Sequence, residues 1–122
     1  MQWSAEAFRV GPSTIPGAGK GLFALQRIAV GDTIGYYTGE VVSAGDLNAG
    51  RFAKSEYLLY VTRNHILVGE GPKANYTRYI NHSEQANAFL VTSTRWKTAR
   101  FEAIREIHPG DEVFFDYGEC FF

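Results

Sequence analysis

Asn81 and His82 stand in the run Arg78-Tyr79-Ile80-Asn81-His82-Ser83, and Tyr117 lies in Asp111-Glu112-Val113-Phe114-Phe115-Asp116-Tyr117-Gly118. Burying an unpaired polar group costs about 1–3 kcal/mol, so polar side chains kept inside apolar runs point to a built site. An amide, an imidazole and a phenol are groups that hold and orient a ligand by hydrogen bonds. Covalent catalysis is not indicated, because no Ser/His/Asp or Cys/His arrangement is evident. His65, His82 and His108 are far apart and lack paired ligand spacing, which argues against a metal centre. Asn75-Tyr76-Thr77 and Asn81-His82-Ser83 fit the glycosylation pattern, but without a secretory signal the match is read as chance. A buried Asn and His that tie a loop to neighbouring backbone form a structural alternative, and the two roles are compatible.

Gly17-Ala18-Gly19-Lys20-Gly21 is the second candidate, followed by the apolar run Leu22-Phe23-Ala24. Its glycines let the backbone approach a ligand closely, and its amides can face an anion. It is neither a dinucleotide fingerprint, since a strand follows, nor a P-loop, since Gly21 stands where Ser or Thr is required. Read alone, the segment is a flexible turn.

The elements that must carry these residues are short. The chain has 122 residues, which suits one domain over 1–122 with one core. Thirteen glycines punctuate short apolar runs rich in Tyr and Phe, a pattern of many strands and few helices. Strands are expected at Phe8–Val10, Gly21–Ala24, Thr33–Tyr37, Tyr57–Val61, Ile66–Val68, Ala88–Thr92, Ala99–Ile104 and Val113–Phe115. Arg63-Asn64-His65 reads as a hairpin turn. Ser43 to Phe52 suits a short helix capped by Ser43, and Ala74 to Ile80 a helical turn. The pattern I-x-x-G-D-x-(I/V) occurs twice, at Ile28–Ile34 and Ile107–Val113, and predicts two similar turns that each feed a strand.

A net charge of −1 gives no reason to expect nucleic-acid or membrane binding, although a local acidic groove for a basic peptide is compatible with it. The single cysteine, Cys120, excludes an intramolecular disulfide and a cysteine-based zinc site. Met1 to Val10 lacks the apolar stretch of a signal peptide. An intracellular location, cytoplasmic or chromatin-associated, is therefore expected.

Taken in this order, the glycine-rich segment, N-H-S and F-D-Y-G resemble the signature motifs of the SET-domain protein-lysine methyltransferases. The resemblance runs from about Phe8 to the last residue. It implies a mainly β fold of several small curved sheets, one or two short helices and a knot-like threaded C-terminal segment. It implies S-adenosylmethionine as methyl donor, no metal, and a lysine side chain of a histone or other basic protein as acceptor. By position, Tyr117 would be catalytic, and Tyr37 would line the lysine channel. Phe115 would tune the number of methyl groups, Phe permitting two or three. Ala18, Gly19, Lys20, Tyr57, Arg78, Asn81, His82 and Phe121 would contact the cofactor.

Two departures from the family pattern stand out. Glu119-Cys120-Phe121-Phe122 follows where many relatives carry a Cys-x-Cys zinc-binding tail that completes the channel. Glu84-Gln85-Ala86-Asn87 follows Ser83 without the usual Cys and Pro, though Asn87 matches. Both suggest a minimal SET protein without flanking zinc modules. A second subunit, for example in a homodimer contacting Phe121-Phe122, would then complete the site. The alternative functions are a SET-like module that binds cofactor or peptide without turnover, and a purely structural β domain.

Overall fold

The structure is a computed structural model that describes residues 1–52, 54–55 and 57–117, with Tyr117 described by its backbone. Its elements are β1 (Phe8–Pro12), β2 (Lys20–Ala24), β3 (Thr33–Tyr36), β4 (Glu40–Val42), α1 (Ala44–Asn48), β5 (Leu58–Thr62), β6 (His65–Val68), β7 (Asn81–His82), β8 (Ala88–Ser93), β9 (Thr98–Ala103) and β10 (Phe114–Tyr117), with 3₁₀ turns at Ala5–Ala7 and Tyr76–Tyr79. They form a two-stranded sheet β1-β2, a three-stranded sheet β4-β6-β5 and a five-stranded sheet β3-β9-β8-β10-β7.

Strands β8 and β9 follow from alternation. Ala88 and Leu90 turn inward from one, Ala99, Phe101 and Ala103 from the other, and Leu90 faces Phe101 across the ladder. Phe101 is 1 % exposed at the centre of the main core, which also buries Leu22, Ile28, Ile34, Ile107 and Val113. Burying each such side chain contributes about 1.5–3 kcal/mol. A smaller cluster of Val42, Ile66 and Val68 sits in the three-stranded sheet, under Leu47 of α1.

The five-stranded sheet contains the threading that the family resemblance implies. β10 runs parallel to β7 on one side and β8 on the other, with Phe115 opposite both His82 and Ala88. Those two neighbours are consecutive in the chain, so the loop 83–87 must bridge across β10, an exception to the usual absence of threaded loops. The bridge is tied down: Ser83 N donates to Phe115 O at 3.1 Å and Asn87 N to Phe114 O at 3.2 Å. The Asn87 side chain donates to Glu112 O and accepts from Phe114 N, both at 2.9 Å.

The two I-x-x-G-D turns share one geometry and pair with each other. Gly31 and Gly110 have φ of 88° and 94°, the left-handed region that glycine enters without strain. Asp32 accepts from Ala29 N and Asp111 from His108 N, each at 3.0 Å. Ile28 and Ile107 then exchange backbone hydrogen bonds of 2.8 and 2.9 Å, joining the two turns.

Several boundaries differ from the sequence reading. Ser43 does cap a helix, in a capping box with Asp46, but the helix ends at Asn48, and Gly50 at φ 97° follows. The hairpin turn holds as Arg63-Asn64, with His65 already in β6. Tyr57 precedes β5 rather than starting it, and Val113 precedes β10. β4 and β7 were not expected; three and two residues are too few for any period to show. No helix among the described residues is long and apolar enough to cross a membrane.

Candidate active site

Segments far apart in the chain meet at a cavity of about 740 Å³. The turn before β2 supplies Ala18, Gly19 and Lys20; the end of β3 leads into Tyr37; Tyr57 enters β5; the 3₁₀ turn and β7 bring Arg78, Asn81 and His82; β10 brings Phe115. All nine of these were singled out from the sequence, and all nine line the cavity. Of the two others, Tyr117 lies opposite Leu90 in the ladder, and Phe121 falls outside the described residues.

Aromatic rings form one wall. Tyr37 meets Phe101 edge-on at 6.3 Å, Phe101 meets Phe115 at 5.4 Å, and Phe115 meets His82 at 5.5 Å. Edge-to-face contacts of this kind fix ring planes as well as bury area. Tyr37 is buried, and its hydroxyl donates to Tyr57 O at 2.7 Å. Burial, followed by the neighbouring Tyr57, pushes its phenol well above the ordinary value, so it remains a donor and not a base.

Arg78 links the rings to backbone. Its guanidinium lies 5.4 Å from the Tyr57 ring centre and 4.7 Å from that of Tyr79. It donates to Gly69 O at 3.2 Å and to the Tyr79 hydroxyl at 2.6 Å, and the latter bond strengthens its hold on the proton. Gly69 leaves room for this packing: a Cβ there would lie 2.2 Å from the Tyr37 hydroxyl oxygen.

The polar end is built around Asn81, whose Nδ2 donates to Lys20 O at 2.9 Å and, more distantly, to Glu112 Oε2 at 3.4 Å. Glu112 is 6 % exposed. It accepts from Ser13 Oγ, Thr14 N and Thr14 Oγ1, all at 2.7 Å. Burial alone would raise its pKa, but the hydrogen bonds from Thr14, Ser13 and Asn81 outweigh that and hold it below the ordinary value. His82 Nε2 lies 3.2 Å from Asp116 Oδ1.

Sequence reasoning missed Glu112 and the apolar lining from Leu58, Leu59, Ile80, Leu90 and Phe101. A carboxylate directly before the apolar run Val113-Phe114-Phe115 was a legible signal for Glu112. The apolar lining carried none, since a side chain on a core strand reads the same whether it faces core or cavity. No group of three or more potential metal ligands occurs among the described residues.

The model of the SET domain family matches residues 19–118. A histone-lysine N-methyltransferase EZH2 of Chaetomium thermophilum is 30 % identical over 97 % of this chain and 8 % of its own length. A histone-lysine N-methyltransferase of Cryptococcus neoformans, H3 lysine-4 specific, is 32 % identical over 81 % of this chain and 7 % of its own. Among solved structures, ctPRC2 in an autoinhibited conformation bound to S-adenosylmethionine superposes with a TM-score of 0.75 at 32 % identity. That match covers 95 % of this chain and 16 % of the other. The chain thus spans less than a tenth of the length of these relatives. With the family model covering most of the sequence, the chain belongs to the SET-domain family.

Proposed function

We propose that this domain transfers methyl groups from S-adenosylmethionine to lysine side chains of a histone or other basic protein. The observation that carries the reading is the convergence of Ala18, Gly19, Lys20, Tyr37, Tyr57, Arg78, Asn81, His82 and Phe115 on one cavity. Relatives named as histone-lysine methyltransferases, and a similar structure that holds S-adenosylmethionine, support it.

The cavity fits such a cofactor by its chemistry. Its volume of about 740 Å³ suits a ligand of that class, and aromatic rings are combined with few fixed polar groups. The Gly17–Lys20 segment and Asn81 offer backbone and side-chain groups for a zwitterionic end, and Tyr57, Arg78 and His82 complete the proposed contacts along the cavity. The family resemblance alone adds Phe121 to them. When bound, the cofactor supplies an electrophilic methyl group on a sulfonium.

The chain's own residues must then prepare the acceptor. The rings of Tyr37, Phe101 and Phe115 strip water from the incoming amine, whose free pKa of about 10.4 falls on desolvation. The channel holds the neutral amine within attack distance, with peptide and cofactor entering from opposite faces. The Tyr117 hydroxyl and nearby carbonyls orient the reacting groups and stabilise the redistributing charge. Tyr37, held protonated, is not the proton acceptor in this scheme, and channel water and Tyr117 are the two candidate sinks. Phe115 leaves space for two or three methyl groups. A partner subunit that completes the channel, a second copy of this chain being one arrangement, belongs to the same reading, as does an intracellular site of action.

The test is mass spectrometry after incubation with labelled S-adenosylmethionine and a panel of histones and extract proteins, with Tyr117→Phe alongside. Methyl-lysine from wild type and at least tenfold less from the variant is the expected result. Equal activity of the two would remove Tyr117 from its role. Cofactor binding without product would favour a binding module.

A further inference from the structure

We infer that Glu112 is a positioning residue that orients the Asn81 amide, its own carboxylate being anchored by the residues just before the glycine-rich turn. This rests on the cavity being the cofactor site. Glu112 touches none of the cavity, yet it accepts from three groups of Ser13 and Thr14, just before the glycine-rich turn, and from Asn81 on β7. Ser13 Oγ in turn accepts from Ile15 N at 3.1 Å, and Ser13 N donates to Gly19 O at 2.8 Å, so the turn is closed on the residues that the carboxylate grips.

The amide orientation follows from donor counting. Asn81 Nδ2 has two protons and meets two acceptors, Lys20 O and Glu112 Oε2. Both acceptors lie on the nitrogen side, so Oδ1 is the group left to accept from elsewhere, as binding of an ammonium requires. Gly21 makes the arrangement sterically feasible: a Cβ there would stand 2.3 Å from Glu112 Oε2. The carboxylate stays ionised near neutral pH, so all its lone pairs remain acceptors.

Glu112→Gln tests this with little change of shape. Its Oε1 still serves Thr14, but its Nε2 faces Asn81 Nδ2, donor against donor, and the amide loses its fixed orientation. By calorimetry, S-adenosylmethionine should bind E112Q about tenfold more weakly than wild type. If Glu112 acts through Asn81, the double variant E112Q/N81A should bind no more weakly than N81A alone. A mere fold defect would instead weaken N81A further. Unchanged affinity in E112Q, or a double variant weakened by the product of both effects, would overturn the inference. The Asn81 side-chain amide is followed by NMR without cofactor, which separates this inference from the reading it rests on. If wild type binds no S-adenosylmethionine, that reading fails. An unshifted Asn81 amide in E112Q then also overturns the positioning role, and a displaced one upholds it.

Discussion

The Tyr37 hydroxyl donates to the Tyr57 carbonyl oxygen at 2.7 Å, across 20 residues of chain, and so joins the end of β3 to the entrance of β5. One bond thereby fixes the ring that borders the cavity and the backbone that forms its rim.

Tyr37→Phe should destabilise the domain by about 0.5–1.5 kcal/mol, the net contribution of one hydrogen bond, because Tyr57 O loses the hydroxyl but keeps its bond from Gly69 N. Urea denaturation of the two proteins gives the difference. A loss below 0.5 kcal/mol, roughly the error of extrapolation, would mean that water takes the place of the hydroxyl.

Gly69→Ala acts on the same pair from outside. The new Cβ would lie 2.2 Å from the Tyr37 hydroxyl oxygen and 2.8 Å from its Cζ, so the ring must shift. Methyl transfer should fall about tenfold or more, since small displacements of positioning groups cost rate. Steady-state kinetics at saturating cofactor decide it, and wild-type kcat would contradict the placement of Tyr37.

Acid should weaken the fold through Glu112. Its folded pKa is lowered from the ordinary 4.5, so its contribution is complete above that value. It is lost as pH falls through the lower, folded value. Glu112→Gln removes this titration, so the urea midpoint of the variant should change less between pH 7 and pH 3 than that of wild type. Parallel pH profiles for the two proteins would exclude Glu112 from the acid transition.

Phe115→Tyr bears on product rather than stability. A hydroxyl beside the acceptor amine can hold a water in the space that a further methyl group needs. The variant should therefore yield monomethyl-lysine where wild type proceeds to the di- or trimethyl form. Intact-mass spectra at long reaction times read this directly, and monomethyl product alone from wild type would sink the idea.

Some of the architecture was legible because its causes are local. The alternation in Ala88–Ser93 and Thr98–Ala103 marks one buried face, and Ser43 three residues before Asp46 spells a capping box. The two I-x-x-G-D turns are set by a glycine at positive φ and an aspartate that caps its own loop. Asn81, His82 and Tyr117 stood out as polar residues in apolar runs. In the structure Asn81 is half-buried and His82 exposed, so for these two the cost of burial is smaller than the sequence suggested. Long-range partners were not legible. Ile28 and Ile107 pair across 79 residues, and Glu112 meets Thr14 across 98. Neither residue's neighbours in sequence hint at the other.

By itself, then, the sequence determined the short strands, the turns and the residue types of the candidate site, since each depends on periodicity, backbone preference or the cost of an unpaired polar group. Only the tertiary structure decided that β10 lies between β7 and β8, that Phe115 faces His82 on one side and Ala88 on the other, and that a buried carboxylate grips the glycine-rich turn. Those relationships arise from closing long loops onto one core, where the best joint packing and the pairing of every buried donor select the arrangement.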